Sequence, residues 1–273
     1  PGWIVELSRY LAANPRVRTV SFHRYPLQRC FTNRGASTYP TIANLLAPDA
    51  SSRPALSLET AVGVAHAHGL ALRADELNSV SCGGARAVSD TFASALWVLG
   101  TLFNMAAVGV DGVNIHTFGK AVYAPFSFTR SGGAWRAHVD PLYYGLLMFA
   151  GAAPTGSRLL STRGASSQAL RVWAARAPDG TVRVTAINDS QTKTQVLAIR
   201  PPRSSGAAIL ERLTAPALGS RTGLTLAGQT FGAATTTGEL TGSYTATTIR
   251  PIQHRYVVEL PPASAALVSV RAL

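Results

Sequence analysis

Among the 13 acidic residues of this 273-residue chain, Glu76 has the setting best suited to chemistry. It closes the apolar-rich run Leu70 to Leu77, and Asn78, Ser79, Ser81, Gly83 and Gly84 follow it at once. A carboxylate at the tip of a buried strand can attack, donate a proton or accept one. The residues after it are turn formers, and their backbone amides can approach a ligand closely because glycine adds no Cβ. The competing reading is an acid that caps a loop or pairs with one of the many arginines, and the pattern alone leaves both open.

The elements that would hold Glu76 read as successive βα units. The run 70–77 is a strand, the glycine loop follows, and a helix opens at Ser89 or Asp90 and continues to about Val108. An earlier strand, Arg18 to Tyr25, delivers His23 and Tyr25 to its carboxyl end, and a later one, Val113 to His116, follows the turn at Asp111-Gly112. Helical stretches are expected over 1–14, 39–46, 56–68 and 140–150, the last opened by Asp140 as cap and Pro141 at the first helical position. Alternation along the central strand would send the neighbouring Asp75 to the side opposite Glu76. In a parallel βα barrel the active site is built by loops at the carboxyl ends of the strands, where Glu76 falls.

A complete barrel takes about 250 residues, and the texture changes near residue 153, so the helical part is too short to close one alone. From 154 onward, short alternating runs dominate: Leu170–Ala175, Val182–Ile187, Gln195–Ile199, Ala208–Leu213, Tyr256–Leu260 and Ala266–Val270. They predict a β-sandwich over 154–273, with the Thr- and Gly-rich 213–248 as long loops and edge strands. Pro1 opens no signal peptide and begins within a helical pattern, which reads as the C-terminal part of a larger polypeptide. No charge interrupts the residues between Asp90 and Asp111, but Ser94, Gly100, Thr101 and Asn104 do, so a helix wedged between neighbours is expected and not a membrane span.

Apolar residues make up 47% of the chain, enough for a sizeable core, and the net charge is +12, carried mainly by arginine. The arginines are scattered without interleaved aromatics, which argues against nucleic acid and is consistent with attraction of a polyanionic substrate. The two cysteines, Cys30 and Cys82, fall in loops after predicted strands and are either bridged or two separate thiols. The six histidines show no ligand spacing, so neither metal nor cofactor is called for.

The run Glu76-Leu-Asn-Ser-Val-Ser-Cys-Gly-Gly, followed by Ser89-Asp90-Thr91-Phe92, resembles the nucleophile region of family 79 glycoside hydrolases, which include β-glucuronidases and heparanase. The resemblance implies that Glu76 attacks the anomeric carbon. It gives the backbone amides of Cys82 and Gly83, with the hydroxyls of Tyr123 and Tyr25, the role of binding a uronic acid carboxylate. His23 and His116 could line the same pocket. Ser81 is a departure, since several members carry tyrosine there, which leaves the mode of carboxylate binding and the preferred uronic acid open.

The same resemblance makes the three strands the sixth, seventh and eighth of a (β/α)8 TIM barrel, with residues 1–153 as its C-terminal part. The acid/base glutamate would lie upstream of Pro1, so an N-terminal remainder of the same protein would complete both barrel and site. The implied activity is retaining removal of β-linked glucuronic acid by a secreted or periplasmic enzyme. Three alternatives are heparanase-like internal cleavage of a glucuronate-containing polysaccharide, a non-catalytic carbohydrate-binding protein, and a cysteine hydrolase using Cys82.

Overall fold

Three short parallel strands, packed side by side, carry the glutamate end of the molecule. The computed structural model describes residues 2–164, 169–201 and 204–272, so Pro1 of the expected first helix lies outside the described residues. A 3-10 turn, Gly2–Glu6, leads into α1 (Leu7–Ala13), β1 (Thr19–Arg24) and β2 (Leu27–Gln28). Next come α2 (Ile42–Leu46), α3 (Pro48–Leu56), α4 (Glu59–Ala67), β3 (Ala71–Leu77) and β4 (Val80–Ser81). Then follow α5 (Phe92–Ala107), β5 (Gly112–Ile115), β6 (Phe126–Ser131), β7 (Ala134–Val139) and α6 (Pro141–Ala152).

The sheet order is β1-β3-β5, all parallel. Leu72, Ala74 and Leu77 of β3 are fully buried, as a central strand covered on both sides requires. Its register has a bulge. Ser21 pairs with Arg73 and His23 with Glu76, while on the other side Ala74 pairs with Val113 and Leu77 with Ile115. Strand β3 thus spends one residue more than either neighbour just before Glu76, which interrupts strict alternation. The expectation that Asp75 points away from Glu76 is therefore corrected, because one imidazole, that of His23, reaches both carboxylates.

Helix α5 starts at Phe92, later than Ser89 or Asp90, because those two side chains bind the preceding loop. Ala87 N donates to Asp90 Oδ1 at 2.7 Å and Ala85 N to Ser89 Oγ at 3.0 Å. The first helical amides are satisfied by distant carbonyls, Phe92 N on Ser220 O at 2.8 Å and Ala93 N on Leu218 O at 3.0 Å. Every residue from Phe92 to Phe103 is buried, which accounts for the uncharged run. No helix among the described residues is long and apolar enough to cross a membrane. The helix expected over 56–68 is α4, and α3, which precedes it and is separated from it by Ser57 and Leu58, is a helix the sequence reading did not anticipate.

Residues 126–139 form the hairpin of β6 and β7. Gly132 and Gly133 make its two-residue turn at φ of +58° and +83°, a conformation only glycine adopts freely.

The second half contains β8 (Arg158–Leu160), β9 (Leu170–Arg176), β10 (Val182–Asn188), β11 (Gln195–Ile199), β12 (Ser204–Thr214), β13 (Thr225–Leu226), β14 (Thr247–Ile249), β15 (Tyr256–Leu260) and β16 (Ser264–Ala272). Seven of these form a sheet in the order β13-β12-β16-β10-β9-β8, with β14 also on β12, and β11 and β15 make a separate pair. The alternating runs act as amphipathic strands. Leu197, Ile199, Tyr256 and Val258 of the pair pack against Val182, Val184 and Val268 of the large sheet. A second, larger core joins the two halves, since Leu213, Leu218 and Phe231 pack into the helical cluster around α5.

Cys30 and Cys82 are joined in a disulfide with Cα atoms 6.3 Å apart, just beyond the paired strands β2 and β4 and across 52 positions of sequence. Closing so long a loop removes unfolded-state entropy, so reduction should cost about 2–4 kcal/mol of stability. Denaturant unfolding with and without reductant measures this. A midpoint unmoved by reduction would show that the bridge contributes nothing.

Candidate active site

Glu76 is placed by the carboxyl end of β3, and its side chain is a quarter exposed, enough to meet a ligand while staying oriented. Four aromatic side chains gather at it, two from the end of β1 and two from the loop after β5. Tyr25, just beyond β1, donates its hydroxyl to Glu76 Oε1 at 2.6 Å, a charge-assisted contact. His23 Nδ1 lies 3.2 Å and His116 Nδ1 3.7 Å from Glu76 Oε2. His23 Nε2 is also 3.7 Å from Asp75 Oδ1, so this ring sits between the two acids. Three neighbouring strands each deliver a polar group because all end on the same side of one parallel sheet.

Tyr123, almost fully buried, completes the group, its ring centroid 6.3 Å from that of Tyr25 and 5.9 Å from that of His116. Burial pushes the Tyr25 hydroxyl well above the usual tyrosine range, and its hydrogen bonds to Glu76 and Tyr123 push the same way. Tyr123 is also raised, by burial and by the Glu76 charge, against the opposing hydrogen bonds from Tyr25 and the Gly83 backbone. Tyr25 thus keeps its proton and donates it to Glu76.

The loop beyond Glu76 is fixed from beneath. Asn78, fully buried, donates to His116 O at 2.9 Å and Tyr123 O at 3.3 Å and accepts from Ser79 N at 2.7 Å. It clamps the end of β3 to the end of β5. Ser79 Oγ donates to Ser89 Oγ at 2.9 Å, tying the start of the loop to its far side. Cys82 and Gly83 both have positive φ, +64° and +86°. Cys82 O accepts from Arg29 Nη2 at 3.2 Å, and Gly83 O accepts from Val122 N at 2.8 Å. Gly84 must be glycine, because a Cβ there would come within 2.9 Å of Tyr123 N and 3.1 Å of Val122 Cβ.

Of the residues singled out in the sequence, Glu76, Tyr25, His23, Tyr123 and Gly83 thus converge, and Cys82 joins them through its loop and its disulfide. His116, which the sequence left as a pocket liner, touches Glu76 directly. Asn78 was noted only as a turn former, and its zero exposure, which sequence cannot report, is what marks it as a clamp. Phe118, which the sequence reading did not single out, packs its ring at 6.1 Å on Tyr123 and 5.8 Å on His116. Among the described residues no group of three His, Cys, Asp or Glu side chains could hold a metal ion.

If the Tyr25 hydroxyl orients the carboxylate, Tyr25→Phe should lower kcat/KM about 10- to 100-fold, since a hydrogen bond to a charged group is worth about 1.5–3 kcal/mol. Unaltered kinetics in a folded variant would show the contact to be incidental.

No family model matches the chain, and no curated protein matches it. Solved structures do. A 4-O-α-L-rhamnosyl-β-D-glucuronidase from Fusarium oxysporum 12S, solved with Rha-GlcA, aligns over 97% of this chain and 56% of its own at 21% identity and a TM-score of 0.79. A GH51 arabinofuranosidase from Xanthomonas axonopodis pv. citri aligns over 99% of this chain and 56% of its own at 15% identity and 0.65. The GH family 44 endoglucanase Cel44A from Clostridium thermocellum aligns over 98% and 50% at 11% identity and 0.62. The chain spans about half the length of these structures, and over that half it shares their fold.

Proposed function

We propose that this chain supplies the nucleophile half of the active site of a retaining β-glucuronidase of family 79 type. One observation carries the reading: Glu76 stands at the end of β3 with the Tyr25 hydroxyl at 2.6 Å, two histidines on its other oxygen and the Gly83 loop alongside. In this reading Glu76 attacks the anomeric carbon of a uronosyl ring and forms a glycosyl ester. Tyr25 and Tyr123, with the amides of Cys82 and Gly83, receive the ring's carboxylate, and His23 borders the ring. The three parallel strands are the last of a (β/α)8 barrel, residues 1–153 are its C-terminal part, and 154–273 form an attached β-sandwich.

A retaining mechanism needs a second carboxyl about 5–5.5 Å from the first, to protonate the leaving oxygen and then activate water. Asp75 comes nearest among the described acids, but its Oδ1 is buried and has no hydrogen-bond partner, and it shares His23 with the nucleophile. The acid/base is therefore assigned to an N-terminal remainder of the same protein. The disulfide supports a secreted or periplasmic setting, where such bonds persist.

A mechanism-based glucuronide label, followed by peptide mapping, tests the reading. An ester adduct on Glu76 is the expected result. An adduct elsewhere would overturn it, and saccharide binding with no adduct and no turnover would favour a carbohydrate-binding protein.

A further inference from the structure

Asp75 takes no step in the chemistry assigned to Glu76, yet the fold brings it to the same imidazole. The bulge in β3 just before Glu76 overrides alternation, so that two consecutive carboxylates meet one ring of the neighbouring strand. Adjacent like charges repel, and a carboxylate oxygen closed off from water without a donor is unfavourable. Asp75 Oδ1 is such an atom, buried and without a hydrogen-bond partner. A group left so in a folded protein calls for a reason beyond packing.

The reason lies in the ring of His23. Its residue pairs in register with Glu76, its Nδ1 lies 3.2 Å from Glu76 Oε2, and its Nε2 lies 3.7 Å from Asp75 Oδ1. Each nitrogen thus faces a different acid, and a ring protonated on both donates to both. The nearby cations are engaged elsewhere. Arg73, two positions before Asp75 on β3, lies over Gly112 and donates to Asn114 Oδ1 at 2.7 Å. Arg24, next to His23, donates to Ser57 Oγ at 2.7 Å and to His23 O at 2.8 Å.

The two acids are held unequally. Glu76 has Tyr25 on one oxygen and His23 and His116 on the other, whereas Asp75 has no ion-pair partner besides His23 among the described residues. The His23 side chain is 63% exposed, and its only polar partners among the described residues are these two carboxylates. Without Asp75, one contact alone would fix the direction of the ring.

We propose that Asp75 is a positioning residue for the nucleophile. It acts through His23, holding the ring so that Nδ1 donates to Glu76 Oε2 while Tyr25 holds Oε1, and the carboxylate stays turned towards the anomeric carbon. The proposal rests on the reading of Glu76 as the nucleophile. At 3.7 Å the outer contact is long for a hydrogen bond, and contacts of this kind tighten when substrate is bound.

Kinetics of the complete protein on an aryl β-glucuronide provide the test, with Asp75→Asn, His23→Gln, the two combined, and Glu76→Gln as reference. Asparagine keeps the shape and removes the charge. The expected result is a fall in kcat of about tenfold with KM unaltered, because misplacing a reacting group acts on the transition state. The thermal midpoint should hold or rise, since a charge repelled by Glu76 is gone. In the His23→Gln background, Asp75→Asn should lower kcat no further, as a residue acting through the ring requires. Undiminished kcat in Asp75→Asn, or losses from the two substitutions that multiply, would overturn the positioning role while an inactive Glu76→Gln keeps the nucleophile in place. Failure of Asp75→Asn to fold would also overturn it, by showing that the carboxylate serves structure. Normal turnover by Glu76→Gln overturns the reading of Glu76 and the proposal with it.

Discussion

On the proposed reading of Glu76 as the nucleophile, Glu76→Gln will lower turnover of an aryl β-glucuronide by at least about 10⁴-fold, or some 5 kcal/mol of transition-state stabilisation, with the fold unchanged. The amide keeps an oxygen to accept from Tyr25, whose hydroxyl lies 2.6 Å from Glu76 Oε1, so the local hydrogen bonding survives. What it lacks is the charge that, on this reading, forms the glycosyl ester. A second measurement separates a nucleophile from a general acid. With Glu76→Ala, azide can take the vacated place, and a single displacement then gives the α-glucuronosyl azide. A β-configured azide would assign Glu76 to the acid/base role, and near-parental turnover by the glutamine variant would remove it from the chemistry altogether.

Arg171→Met will destabilise the protein by about 3–5 kcal/mol, or roughly 10 °C in thermal midpoint for a chain of this size. Arg171 holds Asp189 by two hydrogen bonds, at 2.7 and 2.9 Å, and Ser51 of α3 by a third at 2.7 Å. Both charged side chains are nearly excluded from water, at 11% and 6% exposure. Removing the cation strands a buried carboxylate. Burial already pushes the Asp189 carboxyl up, with Arg171 pulling it back, and without arginine the folded-state value rises further. A group bound more tightly by protons in the folded state than in the unfolded favours folding at low pH, so part of the loss should return as the pH falls towards the carboxylate range. Arg171→Leu combined with Asp189→Leu should restore most of the stability, because neither charge is left unpaired. If the double variant is worse than the single, the pair contributes more than mutual compensation and this account fails.

The same residues show how the two halves are joined. Trp173 stacks on Phe103 with centroids 5.3 Å apart and donates to Asn104 Oδ1 at 3.2 Å, beside the contact between Arg171 and Ser51. Gly100 of α5 leaves room for the guanidinium, since a Cβ would meet Trp173 Cη2 at 3.1 Å as well as Arg171. In the sequence Gly100 was only an interruption in an apolar run. Its function is to let a strand residue lie against a buried helix.

Elements governed by local pattern were legible in the chain. The strand at 70–77, the helix after the glycine loop and the six alternating runs beyond residue 154 follow from burial on one face or both, which repeats with a fixed period. Boundaries were less so. Asp140 does occupy the N-cap position of α6 with Pro141 first in the helix, though without a side-chain cap bond, whereas Asp90 precedes α5 by two residues and is drawn to Ala87 N and Arg221. The hairpin at 126–139 had a strong local signal in Gly132-Gly133 that the aromatic residues around it obscured.

The order of residues along the chain determined that Glu76 ends a buried strand, that a glycine turn follows it, and that Tyr25 and His23 end another, because strand and turn preferences act between near neighbours. Tertiary structure alone decided that those ends meet. It also decided that a bulge brings Asp75 and Glu76 to one imidazole, that Cys30 finds Cys82, and that Arg86, Lys120 and Asp140 border one cavity. Those pairings depend on how strands register and loops pack across tens of residues, and such long-range closure leaves no periodic trace in the sequence.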